Sequence, residues 1–256
     1  MQQQKQSKIL SCENIVVEFD GFKAVDDVDF SMNQGEVRFL IGPNGAGKTT
    51  LLDCICGRVR PSHGHVLFKG ANLTLKQEHK IAQLGIGRKF QAPSIFASLS
   101  VADNLDLAAH GPRGVLASLS SRADKQRQQR QQEYLELIRL QEQQNVEAGS
   151  LSHGAKQWLE IGMLLMQDPD LLLLDEPAAG MTDDETTRMG EMLHRIAQQK
   201  SVLVVEHDMD FVRRFAHSVT VMHEGKTLCE GSMEEVQNNE RVQEVYLGRS
   251  GERTAH

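Results

Sequence analysis

The stretch Gly42-Pro-Asn-Gly-Ala-Gly-Lys-Thr49 combines residue types and a spacing that suit the binding of an anion. Glycines let the backbone curl so that successive N–H groups point inward at a negative charge. Gly42 and Gly47 are separated by four residues and followed directly by Lys48 and Thr49, which is the pattern of a phosphate-binding loop. In that pattern the lysine ammonium reaches the β- and γ-phosphates of a nucleotide, and the threonine hydroxyl is a ligand of Mg²⁺.

The segments on either side of this loop are those that a nucleotide site requires. An apolar run at 37–41 predicts a buried strand before the loop, and residues 48–56 predict a helix after it. Such a helix directs its positive end at a bound phosphate. Because both flanking elements are present, we prefer a nucleotide site to an ordinary glycine turn before a helix.

A second group of polar residues follows apolar runs that predict buried strands. Four leucines at 171–174 are followed directly by Asp175 and Glu176, and His207 comes shortly after the run at 201–205. Gln91 ends another short predicted strand at 86–91. Ligands of open α/β sheets bind at the carboxyl ends of the strands, so these side chains are expected to face the phosphate loop. One carboxylate can then hold Mg²⁺ while its neighbour orients an attacking water.

The rest of the pattern predicts an α/β protein. The chain begins with predicted strands at 9–19 and 28–32, and a further short strand is predicted at 65–69. Helical patterns follow, and we predict helices at 101–144, 155–167, 185–198 and 209–216. Strands that alternate with helices predict a parallel sheet with helices on both faces.

Composition narrows the classes of function. The 256 residues are 39% hydrophobic and 25% charged, as is usual for a globular protein, and they suffice for one large α/β unit or a core with an inserted subdomain. The net charge of -7 argues against nucleic acid as a partner. We expect neither a signal peptide nor a membrane span, and the four cysteines lack the spacing of disulfide or zinc sites.

Two weaker signals have ordinary explanations. His63 and His65 resemble a metal-binding pair, but no cysteine or third close ligand accompanies them, so surface histidines are the preferred interpretation. The segment 122–144 is dominated by Gln, Arg and Glu, and its basic residues could touch phosphates or lipid headgroups. We favour a solvated helix face there.

Taken together, the motifs resemble those of the ATP-binding subunit of an ABC transporter along nearly the whole chain. The motifs that carry the resemblance are the phosphate loop, Gln91 in Lys89-Phe-Gln-Ala-Pro93 (Q-loop), Leu151-Ser-His-Gly-Ala155 (signature segment), the strand ending at Asp175 (Walker B), Glu176, His207 (switch histidine) and Phe19 (adenine-stacking position). The resemblance implies an α/β fold: a P-loop (RecA-like) ABC ATPase core with an N-terminal antiparallel β subdomain and an inserted α-helical subdomain. It places one nucleotide-binding domain at 8–250, with the insert at about 92–158.

The resemblance also implies a role for each site residue, with ATP and Mg²⁺ as cofactors. The residues implied to bind nucleotide are Phe19, Gly42, Pro43, Asn44, Gly45, Ala46, Gly47, Lys48, Thr49, Thr50, Ser152 and Gly154. Those implied to hold Mg²⁺ are Thr49, Gln91 and Asp175, and those implied to act in catalysis are Glu176, His207 and Gln91.

Shorter stretches refine the resemblance. Residues 178–182 and 245–248 are similar to those of subunits that serve branched-chain amino-acid and amide uptake. Residues 152–163, followed by 179–183, are most similar to the urea importer. The resemblance implies transmembrane permease subunits and a second, different ATP-binding subunit as partners, and a peripheral location on the cytoplasmic face of the inner membrane. A symmetric homodimer remains the alternative assembly.

The signature segment and the D-loop (residues 178–182) depart from the family pattern. His153 and Ala155 replace the usual Gly and Gln, and Thr182 stands where many members have Asp. A glycine at 153 is therefore expected to be tolerated.

Two other classes of function remain open at this point. A GTP-dependent switch would use the same loop, but the Asn-Lys-x-Asp run that reads guanine is absent from the sequence. A soluble ABC-type ATPase acting on nucleic acid or ribosomes usually has two cassettes or long coiled-coil insertions, and the chain has neither.

Overall fold

The computed structural model of the chain describes residues 7–89, 95–109 and 121–245, except for the side chains of 121–124. These residues form two sheets and the helices that cover them. The fold is the α/β arrangement that the sequence predicts, with one antiparallel and one largely parallel sheet.

The antiparallel sheet contains the beginning of the chain. Its strands are β1 (Lys8–Phe19), β2 (Phe22–Asn33), β4 (His63–Phe68) and β5 (Ala71–Asn72), in the spatial order β2-β1-β4-β5. The strand predicted at 28–32 is longer than expected and begins at Phe22. Asp26 and Asp27 interrupt the apolar alternation, and Asp27 has a positive φ of 56°, so the sequence pattern breaks where the strand continues.

The six-stranded sheet positions the predicted site. Its strands are β3 (Val37–Ile41), β6 (Ile86–Lys89), β7 (Leu171–Asp175), β8 (Ser201–Val205), β9 (Ser218–His223) and β10 (Lys226–Gly231), in the order β10-β9-β3-β8-β7-β6. Every neighbouring pair is parallel except β9 and β10. Leu172 and Leu174 pack in one core and Leu171 and Leu173 in the other, because successive side chains of a strand point to opposite faces.

The helices cover both faces of this sheet. They are α1 (Lys48–Ile55), α2 (Glu78–Leu84), α3 (Val101–Ala109), α4 (Ser121–Leu137), α5 (His153–Met166), α6 (Asp183–Ala197), α7 (Met209–Phe215) and α8 (Met233–Gln237). The helical stretch predicted at 101–144 contains α3, α4 and a 3-10 turn at Gln141–Gln143. The limits of the inserted subdomain, about 92–158, stay a prediction. In the described part of the chain, no helix is both long and apolar enough to span a bilayer.

Two helices begin earlier than the sequence pattern predicts. The helix predicted from 155 begins at His153, since the Ser152 hydroxyl accepts a hydrogen bond from the N–H of Ala155. The helix predicted from 185 begins at Asp183, because Thr182 and Glu185 form a reciprocal capping box. Both starts are therefore set by capping side chains of the signature segment and the D-loop.

Candidate nucleotide site

The phosphate loop lies between β3 and α1, where only glycine fits at two positions. Gly42 has φ 154°, and a Cβ there would lie 2.2 Å from the carbonyl oxygen of Met222. Gly47 has φ 98°, and a Cβ there would lie 2.5 Å from the carbonyl oxygen of Ala24. Both positions are thus closed to larger residues, and the backbone of the loop keeps its tight curl.

Lys48 is folded back onto this loop. Its Nζ donates hydrogen bonds to the carbonyl oxygens of Gly42 at 2.7 Å and Pro43 at 3.1 Å. Burial lowers the pKa of Lys48, and the nearby carboxylates of Asp175 and Glu176 oppose that shift. A phosphate would offer the ammonium a full negative charge in place of two carbonyl dipoles.

The start of α1 is open to an anion. Its N-cap is Gly47, which makes no side-chain capping bond, so the first N–H groups of the helix have no capping acceptor. Thr49 is exposed and Thr50 is half-buried at this end, while Asn44 and Gly45 are exposed in the loop beside Pro43 and the buried Ala46.

Asp175 ends β7 as a buried carboxylate that is incompletely paired. It is 4% exposed, and among the described residues its Oδ2 atom has no hydrogen-bond partner. The guanidinium of Arg88 lies 4.0 Å from that oxygen. Burial raises the pKa of Asp175, and Arg88 opposes the shift.

An orphaned carboxylate oxygen of this kind fits a divalent cation. No group of three His, Cys, Asp or Glu side chains suited to a metal occurs within 7–89, 95–109 and 121–245. The unpaired Asp175 oxygen fits Mg²⁺, which commonly takes one or two protein oxygens together with substrate phosphates and water.

Glu176 and His207 face each other at the ends of neighbouring strands. Asp175 pairs with Val205 in the parallel register of β7 and β8, and the N–H of Glu176 donates to the Val205 carbonyl at 2.9 Å. The two side chains then meet, with His207 Nδ1 lying 3.1 Å from Glu176 Oε1. Both remain partly exposed, at 57% for His207 and 37% for Glu176, so a water molecule can reach the carboxylate.

Sequence reasoning missed Glu206, a buried carboxylate beside this pair. Its side chain accepts hydrogen bonds from the N–H groups of Ala178 at 3.1 Å and His207 at 3.2 Å. Burial raises the pKa of Glu206, and those backbone bonds oppose the shift. Glu206 thus ties the turn after Glu176 to the loop that carries His207. The available signal was a carboxylate directly after a fully apolar strand.

The signature segment contacts α6. Ser152 donates a long hydrogen bond of 3.4 Å to Glu185, and a Cβ at Gly154 would lie 2.5 Å from the same carboxylate. In the described part of the chain, no hydrogen bond joins Ser152 or Gly154 to the phosphate loop. The segment therefore contacts α6 of its own chain, with Ser152 exposed and Gly154 buried behind the Glu185 carboxylate.

One predicted site residue, Phe19, takes no part in these contacts, and another cannot be placed. Phe19 ends β1 and its side chain is 48% exposed, which leaves the ring accessible to a base. Gln91 lies outside the described residues. The structure brings together Lys48, Asp175, Glu176 and His207 as the sequence predicts, while the assignment of each to nucleotide, metal or catalysis stays a prediction.

Comparison with known proteins agrees with the predicted family. The family model described as ABC transporter matches residues 25–179, and one described as branched-chain amino acid ATP-binding cassette transporter matches 226–252. The probable branched-chain amino acid transport ATP-binding protein LivG of Archaeoglobus fulgidus is 36% identical over 249 residues, which cover 94% of this chain and 96% of that protein. The high-affinity LivG protein of Escherichia coli K12 is 34% identical, with 94% and 98% covered.

A solved structure of an ATP-binding cassette in its ADP conformation superposes with a TM-score of 0.82. It is 32% identical in sequence, with 94% of this chain and 99% of that chain covered. Fold, motifs and relatives agree: the chain belongs to the ABC transporter ATP-binding subunits of the branched-chain amino acid type, and it is an ATPase whose activity is coupled to transport.

Proposed function

We propose that this chain binds ATP with Mg²⁺ and hydrolyses the nucleotide to drive import of a small polar solute, urea in the first instance. The observation that carries the proposal is the convergence of Lys48, Asp175 and the Glu176–His207 pair at one edge of the sheet. At this edge Lys48 can bind phosphate, Asp175 can bind the metal, and the Glu176–His207 pair can bind water.

Each residue has a task that follows from its contacts. Lys48 exchanges its bonds to Gly42 and Pro43 for bonds to the β- and γ-phosphates. Thr49 and Asp175 would hold Mg²⁺, which would supply positive charge to the phosphate oxygens.

Glu176 supplies the base for hydrolysis. It accepts a proton from the water that attacks the γ-phosphorus, the bond to the ADP oxygen breaks, and phosphate leaves. His207 fixes the direction of the Glu176 carboxylate through the contact of 3.1 Å.

The second subunit completes the site in this proposal. Ser152 is exposed at the start of α5, so its hydroxyl can exchange the long bond to Glu185 for a nucleotide bound by a neighbouring cassette, whereas the Glu185 carboxylate has to move before Gly154 can approach that nucleotide. Binding of ATP closes the pair and hydrolysis releases it. We propose a different cassette chain as that neighbour, with the homodimer as the alternative.

In this proposal, β6 would transmit the conformational state of the membrane partner to the rest of the chain. Lys89 ends this strand just before Gln91 and forms a buried ion pair of 3.3 Å with Glu160 on α5. A change at the Gln91 loop would thus be transmitted to α5, the helix that begins in the signature segment. Transmembrane permease subunits that contact the helical region would hold the chain at the cytoplasmic face of the membrane.

Two solutes compete for the finer assignment. Urea is supported by the resemblance of residues 152–163 and 179–183 to the urea importer. Branched-chain amino acids are favoured by the names of the relatives and by the match at 226–252. The site residues described above act on the nucleotide and do not contact the transported solute in this proposal. The solute therefore has to be determined on the assembled complex.

The test is solute-stimulated ATP hydrolysis by the complex purified with its membrane partners and solute-binding protein. We expect urea to stimulate hydrolysis and leucine to leave it unchanged, with Glu176→Gln complex as the inactive control. Stimulation by leucine alone would establish the alternative solute. Absence of hydrolysis by the wild-type complex, or preference for GTP in competition, would overturn the ATPase proposal.

A further inference from the structure

His153, one of the departures from the family pattern, makes a specific contact with the D-loop. Its Nε2 atom lies 3.1 Å from the carbonyl oxygen of Ala179. Because a carbonyl only accepts hydrogen bonds, this contact is a hydrogen bond in the tautomer with the proton on Nε2, and in that tautomer Nε2 accepts nothing from the Gln157 amide nitrogen 3.4 Å away. The ring also packs closely on the backbone, since a Cβ at Gly180 would lie 3.3 Å from the same nitrogen.

Thr182, another departure, belongs to a second contact between the same two segments. The Glu185 carboxylate accepts hydrogen bonds from the N–H of Thr182 at 3.0 Å and from its hydroxyl at 3.2 Å. Its other oxygen accepts the long bond of 3.4 Å from Ser152. One carboxylate therefore caps α6 and reaches the signature segment.

The electrostatics of this region keep Glu185 charged. The N–H of Thr182 is the main cause that lowers the pKa of Glu185, followed by the Thr182 and Ser152 hydroxyls and by His153. A charged acceptor strengthens each of its hydrogen bonds. The carboxylate also fills the space in front of Gly154, where a Cβ would be 2.5 Å away.

We propose that His153 and Glu185 are positioning residues that clamp the D-loop onto the signature segment, so that both segments meet the partner subunit as one rigid unit. This inference rests on the proposed function, because the benefit of rigidity appears when two cassettes close on ATP. It also connects two departures, His153 and Thr182, in a single network.

A role in packing alone makes a different prediction. If His153 merely filled space, an apolar side chain of similar size would serve. If its N–H bond to Ala179 matters, a replacement must carry a donor at the same position. Glutamine offers an amide N–H close to that of His Nε2, whereas leucine offers none.

The first measurement uses the isolated full-length protein without nucleotide. Hydrogen exchange of peptides covering 178–185 should accelerate about fivefold in His153→Leu, the equilibrium factor for one net hydrogen bond, and should stay near wild type in His153→Gln. Peptides covering β8 serve as the internal reference, and His79→Leu, an exposed histidine on α2, is the matched control.

The second measurement uses the assembled complex. We expect kcat to fall about fivefold in His153→Leu with KM for ATP unchanged, because the phosphate loop that binds ATP is untouched. His153→Gln should restore kcat. Should His153→Leu fail to fold, His153→Ala carries the same test, since alanine is well tolerated in helices and also lacks a donor.

Unchanged exchange and kcat in His153→Leu, equal losses in the Leu and Gln variants, or a rise in kcat would each overturn the clamp. These outcomes apply when two conditions hold: the wild-type complex hydrolyses ATP, and the Lys48→Ala substitution impairs ATP binding by the complex. A wild-type complex without that behaviour would instead refute the proposed function, so the two failures are distinguishable.

Discussion

His207 Nδ1 lies 3.1 Å from Glu176 Oε1, and the two residues meet because their strands end at the same level. Glu176 has a positive φ of 49°, which an extended strand residue would not adopt, and its N–H still bonds to the Val205 carbonyl. Left-handed backbone at a residue other than glycine stores strain, and such strain is concentrated at functional sites. Here it turns the Glu176 side chain out of the buried strand and toward His207.

Replacing Glu176 with glutamine should separate binding from hydrolysis. The amide preserves the shape of the side chain but cannot accept the proton of the attacking water, so we expect turnover to fall about 100-fold or more with ATP affinity retained. Steady-state hydrolysis by the assembled complex, with nucleotide binding on the isolated protein, measures both quantities. Normal turnover in this variant would show that another group is the base.

Replacing Lys48 with alanine should weaken ATP binding itself. The ammonium now bonded to Gly42 and Pro43 is the charge that meets the phosphates, and a hydrogen bond to a charged group is worth about 1.5–3 kcal/mol. We expect a loss of about 10- to 100-fold in affinity, measured by calorimetry. Lys80→Ala, an exposed lysine on α2, is the matched control. Equal affinities in the two variants would refute the assignment of Lys48.

Apolar runs were the most informative part of the sequence. The strands predicted at 37–41 and 201–205 agree with β3 and β8 because each short, mainly apolar run lies between a charged residue on one side and a glycine or a charged residue on the other. Helix starts depend on single capping side chains, so α5 and α6 were placed two residues late. Glu206 was missed because its role comes from backbone N–H groups brought together by tertiary structure, which no local pattern records.

The contacts of the signature segment also change one expectation drawn from the family pattern and the choice of a probe at Gly154. A glycine at position 153 was expected to be harmless, but it would remove the bond to Ala179. An aspartate at Gly154 suggests itself as a probe of the partner's phosphate, but its Cβ would meet Glu185 within the same chain. Effects of that variant would therefore mix folding with catalysis.

Replacing Gly154 with alanine tests this internal contact directly. A Cβ placed 2.5 Å from the Glu185 carboxylate forces this flexible side chain to move, and the cost is the loss of its hydrogen bonds from Thr182, about 1.5–3 kcal/mol for a bond to a charged group. We expect denaturant unfolding to show that loss in Gly154→Ala, and a much smaller extra loss when it is combined with Glu185→Ala. Purely additive losses would show that the two residues are energetically independent.

Replacing Asp175 with asparagine should raise stability while it weakens Mg²⁺-dependent ATP binding. Burial raises the pKa of Asp175, so the folded protein holds this proton more tightly than the unfolded chain does. The protonated Asp175 side chain therefore stabilises the folded protein. This stabilisation is fully present below the ordinary pKa of an aspartate and is lost as the pH rises through the raised pKa of Asp175 in the folded protein. Above its raised pKa the buried carboxylate is charged, and its Oδ2 has no hydrogen-bond partner among the described residues, with Arg88 4.0 Å away; a buried polar atom without a hydrogen bond costs about 1–3 kcal/mol.

The asparagine side chain is neutral at every pH, so the variant never buries a negative charge at this position. We therefore expect its Tm without nucleotide to exceed that of the wild type at pH 7, and the difference to shrink as the pH falls toward the ordinary pKa of an aspartate. Addition of Mg²⁺ and ATP should reverse the order, because the charged carboxylate of the wild type binds the cation more strongly than the neutral amide does. Two results would contradict the assignment of Asp175 as a Mg²⁺ ligand. One is a lower Tm of the variant than of the wild type at pH 7, and the other is an equal rise in Tm of both proteins on addition of Mg²⁺ and ATP.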